Sequence, residues 1–233
     1  MRVLLTRPKE DAQAFAERLR ERGHDVLSVP LLRVRFRDGE PLALDGVQGV
    51  LVTSANGVRA LAQSSERRDL PVFAVGPQTA REAQNAGFAR VESADGDVVA
   101  LAEALPRWAR AEAGALLHAT SAEGAGPLAS LLAVKGYEVR SAILYDVVAS
   151  RVLPLEIAGA LKDGSLDAAL FFSPRSAAVF MNCVQGAGLS GTCARLTAIC
   201  ISEATASALG PLSFEEICVA ARPNQDALLA CLG

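Results

Sequence analysis

The chain is 233 residues long, 51% apolar, 21% charged and only 5% aromatic, with a net charge of −3. These values exclude disorder along the chain as a whole, and they suit two α/β lobes of about 110 residues each better than one compact core. A surface built for nucleic acid is not indicated, because Lys and Arg form no run longer than pairs such as Arg67-Arg68.

The N-terminal stretch MRVLLTRPKEDAQ turns polar at Thr6, too early for the apolar core of a signal peptide, and no stretch of about 18 apolar residues follows anywhere. A cytoplasmic protein with no membrane segment is expected. Val3 to Thr6 reads as a short apolar strand. Lys9 to Arg22 carries Ala12, Phe15, Ala16 and Leu19 at helical spacing before Gly23 stops it, and Asp25 to Phe36 reads as a second extended segment. Gly49 to Thr53 is a strand leading into a helix from Ala55. Pro71 to Val75 leads through GPQT into a helix over Ala80 to Ala86, and Asp97 to Leu105 is helical. Ala115 to Leu117 is again a strand, Pro127 to Lys135 a helix ended by Gly136, and Tyr137 to Val148 extended. In the last third, Asp167 to Ser173, the helix after Pro174, Leu196 to Ile201, the helix from Thr205 and the helix Gln225 to Leu232 repeat the order of residues 49–105. Cys183, Cys193, Cys200, Cys218 and Cys231 fall here, odd in number and without a CxxC pair. Neither a zinc site nor a disulfide framework is indicated, and reduced, mostly buried thiols are expected.

The chain thus runs A, B, A, B, where A is strand, helix, strand and B is a longer strand and helix series. Matching VTSANG to FFSPRS puts Ser54 opposite Ser173, and matching VGPQTAREA to ISEATASAL puts Thr79 opposite Thr205. Strands alternating with helices predict parallel sheets covered on both faces, so the fold class is α/β with two doubly wound lobes. Periodicity leaves two pairings open: sequential lobes, or a first A joined to the last B around an inserted lobe. Val29 to Phe36 and Ile143 to Ala149 are longer than their lobes need, which favours insertion with the two segments side by side as a hinge.

Ligands of open parallel sheets bind beyond the carboxyl ends of the strands. Six such turns carry Ser or Thr: TRP at 6–8, TSANG at 53–57, GPQT at 76–79, ATSAEG at 119–124, SPRS at 173–176 and SEAT at 202–205. Each hydroxyl can simply cap its helix. Six together on two lobes suit a ligand bearing several carboxylates, held by backbone N–H groups and helix dipoles. GAGLSG at 186–191 has the letters of a dinucleotide loop but follows a helix, no P-loop pattern exists, and no nucleophile signature accompanies His24 or His118. His24 is expected at the surface, while His118 ends a strand beside ATS and could face a cleft. Tyr145 in AILYDVVAS is either a packed strand tyrosine with a wet hydroxyl or a general acid beside a ligand.

VLLTRP, VTSANGV, VFAVGPQTA, LYDVV, ALFFSPRSA, AICISEATASAL and the closing RPNQDALLACL, in this order and spacing, resemble uroporphyrinogen-III synthase over the whole length. The resemblance implies a discontinuous lobe of residues 1–34 and 149–233, an inserted lobe of 35–148, a two-stranded linker and a ligand cleft between the lobes. It implies cyclisation of hydroxymethylbilane, a linear tetrapyrrole with eight carboxylates, to uroporphyrinogen III with loss of water and inversion of ring D. No metal and no organic cofactor are implied, and a monomer is expected. Carried over by position, Tyr145 becomes the candidate for assisting hydroxyl departure. Thr53, Ser54 and Thr79 on one lobe, and Ser173, Ser202 and Thr205 on the other, become carboxylate-binding turns, with Arg7 as the charged contact. Two positions depart from the family pattern: Asn56 stands where an Arg is frequent, and Ser202 where a Gly is usual. A non-catalytic two-lobed binder of a polycarboxylate would share this framework without needing Tyr145.

Overall fold

The computed structural model describes residues 1–7, 9–37, 42–124 and 126–232. The chain divides into two compact units, one made of residues 1–33 and 148–233, the other of residues 34–147. We call them the terminal unit and the internal unit.

The terminal unit contains β1 (Arg2–Leu5), α1 (Lys9–Glu21) and β2 (Asp25–Ser28) from the start of the chain. The internal unit holds most of β3 (Leu32–Phe36), then β4 (Val47–Val52), α2 (Ala55–Ser64), β5 (Val72–Ala74), α3 (Pro77–Asn85), β6 (Val91–Ser93), α4 (Val98–Ala104), β7 (Ala115–Ser121), α5 (Leu128–Ala133) and most of β8 (Val139–Ala149). The chain returns to the terminal unit with α6 (Leu155–Lys162), β9 (Ala168–Phe171), α7 (Pro174–Gly186), β10 (Thr197–Cys200), α8 (Glu203–Ser207), β11 (Glu216–Val219) and α9 (Gln225–Ala230).

The sheet orders are β11-β10-β9-β1-β2 and β6-β5-β4-β7-β8-β3. Pairs from β1 with β2 to β7 with β8 are parallel. Apart from β3, the two sheets have the same spatial order: three strands of one B segment, then two of one A segment. The first A is joined to the last B, and the internal unit is the same arrangement with its chain connections permuted.

Central strands read as unbroken apolar runs because helices cover both faces. In the terminal unit, Val3, Leu5, Ala168, Leu170 and Ile199 pack against Phe15, Leu19, Leu228 and Leu229 of α1 and α9. On the other face, Phe171 meets Phe180 of α7 edge-on at 5.1 Å. In the internal unit, Val50, Val52, Val72 and Leu117 pack against α2 and α3, while Leu51, Phe73 and Leu116 pack against α4 and α5. Both A helices end alike. Gly23 (φ +80°) and Gly136 (φ +84°) take the left-handed conformation, and the next residue donates back, His24 to Leu19 and Tyr137 to Leu132, each at 3.1 Å.

The extended segment expected over Asp25 to Phe36 is two strands in two sheets, separated at Val29–Leu31. Apolar residues alternate over Leu27, Val29 and Leu31 and again over Leu32, Val34 and Phe36, so the alternation changes phase at the break, where Pro30 stands. β3 lies beside β8: Arg37 N–H donates to Leu144 O at 2.9 Å and Ser150 N–H to Leu31 O at 2.8 Å, an antiparallel pairing. The chain passes from one unit to the other within these two strands.

Candidate active site

In both units the first and last segments of the sheet leave from neighbouring central strands, β4 and β7 in one, β1 and β9 in the other. Crossover helices then depart to opposite faces, which opens a crevice at the carboxyl ends of those strands. The sequence places its hydroxyl-bearing turns there.

In the internal unit, Thr53 and Ser54 follow β4. Ser54 caps α2, its Oγ accepting from Gly57 N–H at 3.1 Å. The same Oγ lies 3.0 Å from Tyr145 Oη. Two residues proposed separately from the sequence are therefore in direct contact. Tyr145 is brought inward by an irregularity in β8: Thr120 stands opposite Ile143 and Ser121 opposite Tyr145, so Leu144 is the extra residue. Such a bulge re-aims the following side chain, and Leu144 and Tyr145, adjacent in sequence, are both buried. Gly57 is needed for the same geometry. A Cβ there would stand 2.8 Å from Ala119 O, so only glycine lets the first turn of α2 approach β7 this closely.

Beside this turn, Gly76 and Pro77 open α3, and Thr79 is buried in its first turn. Gly76 supplies no side-chain cap. Asn56 is not without a cation: Arg59 Nη1 donates to Asn56 Oδ1 at 3.1 Å, while Nε of the same guanidinium donates to Glu82 Oε1 at 2.8 Å. Next to Tyr145, Asp146 accepts from Arg37 Nη2 at 2.6 Å and from Arg35 Nη2 at 3.1 Å, which joins β8 to β3. The hydrogen bonds from Arg37 and then Arg35 hold the Asp146 carboxyl below its usual range.

In the terminal unit, Thr6 is fully buried and donates to Leu170 O at 2.6 Å, tying β1 to β9. Arg7 follows, its guanidinium 4.6 Å from the centre of the Phe172 ring. Ser173 caps α7 through Ser176 N–H at 3.1 Å and donates to Ser176 Oγ at 3.0 Å. Ser202 caps α8 through Thr205 N–H at 3.3 Å, and its Oγ is 3.0 Å from Thr205 Oγ1, with Thr205 fully buried.

His118 does not face a cleft. It is 1% exposed on the inner face of β7, opposite Leu51, and neither ring nitrogen has a hydrogen-bond partner among the described residues. Burial pushes its pKa below the ordinary value. Burial likewise pushes the thiols of Cys193 to about 11 and Cys200 to about 12, so neither is a nucleophile at neutral pH. GAGLSG closes α7 and enters a 3₁₀ turn over Ser190–Arg195, without the strand, turn and helix of a dinucleotide loop. Sequence reasoning marked ATSAEG as a turn but assigned no residue in it. Ser121 and Thr120 lie against the turn of Gly124, where a Cβ would stand 2.8 Å from Ser121 Oγ and 3.1 Å from Thr120 Oγ1. Their position at the end of a switch-point strand was the available signal.

A family model described as Uroporphyrinogen-III synthase HemD matches residues 13–230. Among solved structures, a uroporphyrinogen-III synthetase from Helicobacter pylori is similar at 19% identity and a TM-score of 0.66, with 100% of this chain and 98% of that one covered. A mutant uroporphyrinogen III synthase from the extremely thermophilic bacterium Thermus thermophilus is similar at 20% identity and a TM-score of 0.59, covering 100% and 97%. These two likenesses concern the fold. No curated protein gives a sequence match. With nearly the whole chain under the family model, and its motifs lying at the crevice turns of both sheets, the chain belongs to the uroporphyrinogen-III synthase family.

Proposed function

We propose that Tyr145, supported by Ser54, donates the proton that lets the substrate hydroxyl leave. The reaction of the family is the cyclisation of hydroxymethylbilane to uroporphyrinogen III, with loss of water and inversion of ring D. The observation that carries the proposal is the 3.0 Å contact between Tyr145 Oη and Ser54 Oγ at the switch point of the internal sheet. Ser54 Oγ already accepts from Gly57 N–H, so its own hydrogen is free to point at the phenol oxygen. The phenol hydrogen then points outward to the departing hydroxyl. As the proton leaves, Ser54 and the N-terminus of α2 stabilise the phenolate, which in turn stabilises the azafulvene cation left behind. The rest of the task is positioning, so that attack through the substituted carbon of ring D, and collapse of the resulting spiro intermediate, outrun the spontaneous uninverted closure.

Thr53 and Thr79 on the internal unit, and Arg7, Ser173, Ser202 and Thr205 on the terminal unit, are assigned to the substrate carboxylates. The lobes are taken as 1–34 with 149–233, and 35–148, with boundaries inside the two linker strands. The protein is read as a cytoplasmic monomer that needs no cofactor and no nucleic acid. Five free cysteines, three of them buried, support a reducing compartment. Among the described residues no helix is long and apolar enough to cross a membrane.

The test is to give the purified protein freshly made hydroxymethylbilane, oxidise the products and separate the type I and type III uroporphyrins. Type III in excess without added cofactor is expected. Type I alone, at the rate of a blank, refutes the catalytic reading.

A further inference from the structure

The terminal unit holds a cavity of about 340 Å³, in which Arg7, Gln13, Arg20 and Ser28 stand around a floor of Ala12 and Ala16. Its origin lies in α1. Ala12 and Ala16 are on the face of α1 that packs against the sheet, and at 5% and 3% exposure they are nearly covered, but their side chains are too short to fill the space toward β2. Gln13 and Arg20 flank that stripe. A helical side chain leans toward the helix N-terminus, so the Arg20 stem lies over the turn of Ala16. Ser28 ends β2, and Arg7 follows β1, so the cavity opens at the carboxyl ends of these two neighbouring strands.

Among the described residues, the lining carries two guanidiniums, an amide and a hydroxyl, and no acidic side chain. The nearby Glu17 carboxylate accepts from Gln13 Nε2 at 3.4 Å. A small apolar floor under two cations suits one kind of group: a carboxylate on a short methylene arm. The methylenes rest on the alanines, and the oxygens meet the guanidinium forks.

We propose that this cavity is a carboxylate subsite, in which Arg20 and Arg7 together hold one acidic side arm of the substrate. This rests on the reading of the chain as acting on a polycarboxylate tetrapyrrole, and it adds Arg20, Gln13 and Ser28 to the residues that choose and orient it. Arg20 touches no reacting atom. It is a binding and positioning residue, and its loss appears in KM while kcat and the type III to type I ratio stay as they are.

The experiment compares wild type, Arg20→Gln, Arg20→Lys and Gln13→Glu. Turnover of hydroxymethylbilane is measured across salt concentrations, together with equilibrium binding of uroporphyrin I, an octacarboxylate that does not turn over. Loss of one charge-assisted contact at a partly exposed site predicts a KM and a uroporphyrin Kd raised about tenfold in Arg20→Gln. Arg20→Lys recovers part of the loss, and Gln13→Glu imitates it by placing a like charge beside the arm. Arg20 and Gln13 are exposed, so thermal midpoints equal to wild type are expected. A KM and a Kd within about twofold of wild type in both Arg20→Gln and Gln13→Glu overturn the subsite. If wild type makes only type I product, the catalytic reading fails, and the uroporphyrin comparison still decides the cavity.

Discussion

Ser54 and Ser173 occupy the same position in the two units, each ending the loop after a central strand and each accepting a backbone N–H three residues on, at 3.1 Å in both. Ser173 spends its own hydrogen on Ser176 Oγ, within the same helix turn. Ser54 has Gly57 at the corresponding place, with no side chain to bond, and its remaining capacity meets Tyr145. The next turns differ in the opposite sense. Gly76 leaves the start of α3 without a side-chain cap, whereas Ser202 closes the start of α8 on Thr205. Equal capping geometry therefore has unequal consequences: the internal unit turns Ser54 to Tyr145 and leaves α3 without a side-chain cap, and the terminal unit closes both serines on their own helix turns.

The sharpest way to break this comparison is at the serines. Tyr145→Phe removes the proposed proton donor and is expected to lower kcat by about 100-fold, the low end of the range for a positioned general acid. Ser54→Ala is expected to lower kcat by about tenfold, since it removes the group supporting the phenolate rather than the donor. Ser173→Ala loses a cap worth about 1 kcal/mol of stability and leaves kcat nearly unchanged. Single-turnover rates and urea midpoints of the three variants check this, and equal kcat losses in Ser54→Ala and Ser173→Ala would end the distinction.

Gly57 offers a second test, of stability. Its Cβ would stand 2.8 Å from the backbone oxygen of Ala119, which cannot rotate away, so Gly57→Ala must push α2 off β7. A cost of about 2 kcal/mol is expected, as for overpacked cores, with kcat reduced because Ser54 moves with the helix. At the matching position, Ser176→Ala loses a hydroxyl bond and no space, for about 1 kcal/mol. Chemical denaturation of both proteins reads the difference.

The third contrast is inside the sheets. Leu170 and Leu51 each precede their capping serine by three residues, and they pair with Leu5 and His118 respectively. The internal unit thus buries an imidazole where the terminal unit buries a leucine. Because burial lowers the His118 pKa from the ordinary 6.5, the folded protein favours the neutral ring. The stability tied to that neutral ring is present above pH 6.5, the ordinary value, and is lost as pH falls through the lower folded value. His118→Leu removes two buried nitrogens that have no hydrogen-bond partner among the described residues, and is expected to stabilise the protein by about 1 kcal/mol at neutral pH. It should also flatten the loss of stability as pH falls below about 6.5. Urea midpoints at several pH values measure both effects, and a variant with an unchanged acid slope would assign that slope to other groups.

These contrasts show why some of the molecule was legible in the sequence and some was not. The order A, B, A, B is a matter of period and spacing, and the matches of Ser54 with Ser173 and Thr79 with Thr205 fall on equivalent helix starts. The partner of each A segment depends on contacts far apart in the chain, to which period is blind. Tyr145 could be suspected from its place in LYDVV. Its contact with Ser54 depends on the extra residue at Leu144, and nothing in an alternating apolar run announces a bulge. His118 failed for a related reason: Leu-Leu-His-Ala reads equally well with the imidazole at the strand end or in the middle, and β7 runs four residues past the expected Leu117.

The smallest effect is expected at Ser202, and it bears most directly on how the terminal unit binds. Ser202→Gly gives α8 the kind of start that Gly76 gives α3. Glycine is itself a tolerable cap, so the cost in stability should be only a few tenths of a kcal/mol. What changes is the Thr205 N–H, which loses its bond to Ser202 Oγ at 3.3 Å and keeps the one to the residue 202 backbone oxygen, 3.0 Å in the present chain, and the Thr205 hydroxyl, which loses its neighbour at 3.0 Å. If a substrate carboxylate docks at this turn, the Ser202 side chain no longer stands between it and the first-turn N–H groups of α8, and KM should fall about two- to threefold with kcat unchanged. The reciprocal variant, Gly76→Ser, should raise KM by a similar factor, because the new hydroxyl competes for the first-turn N–H groups of α3. Opposite shifts in the two variants would mean that both turns bind through their backbone. Should KM stay fixed in Ser202→Gly and rise in Gly76→Ser, the binding at these two turns would belong to the internal unit alone.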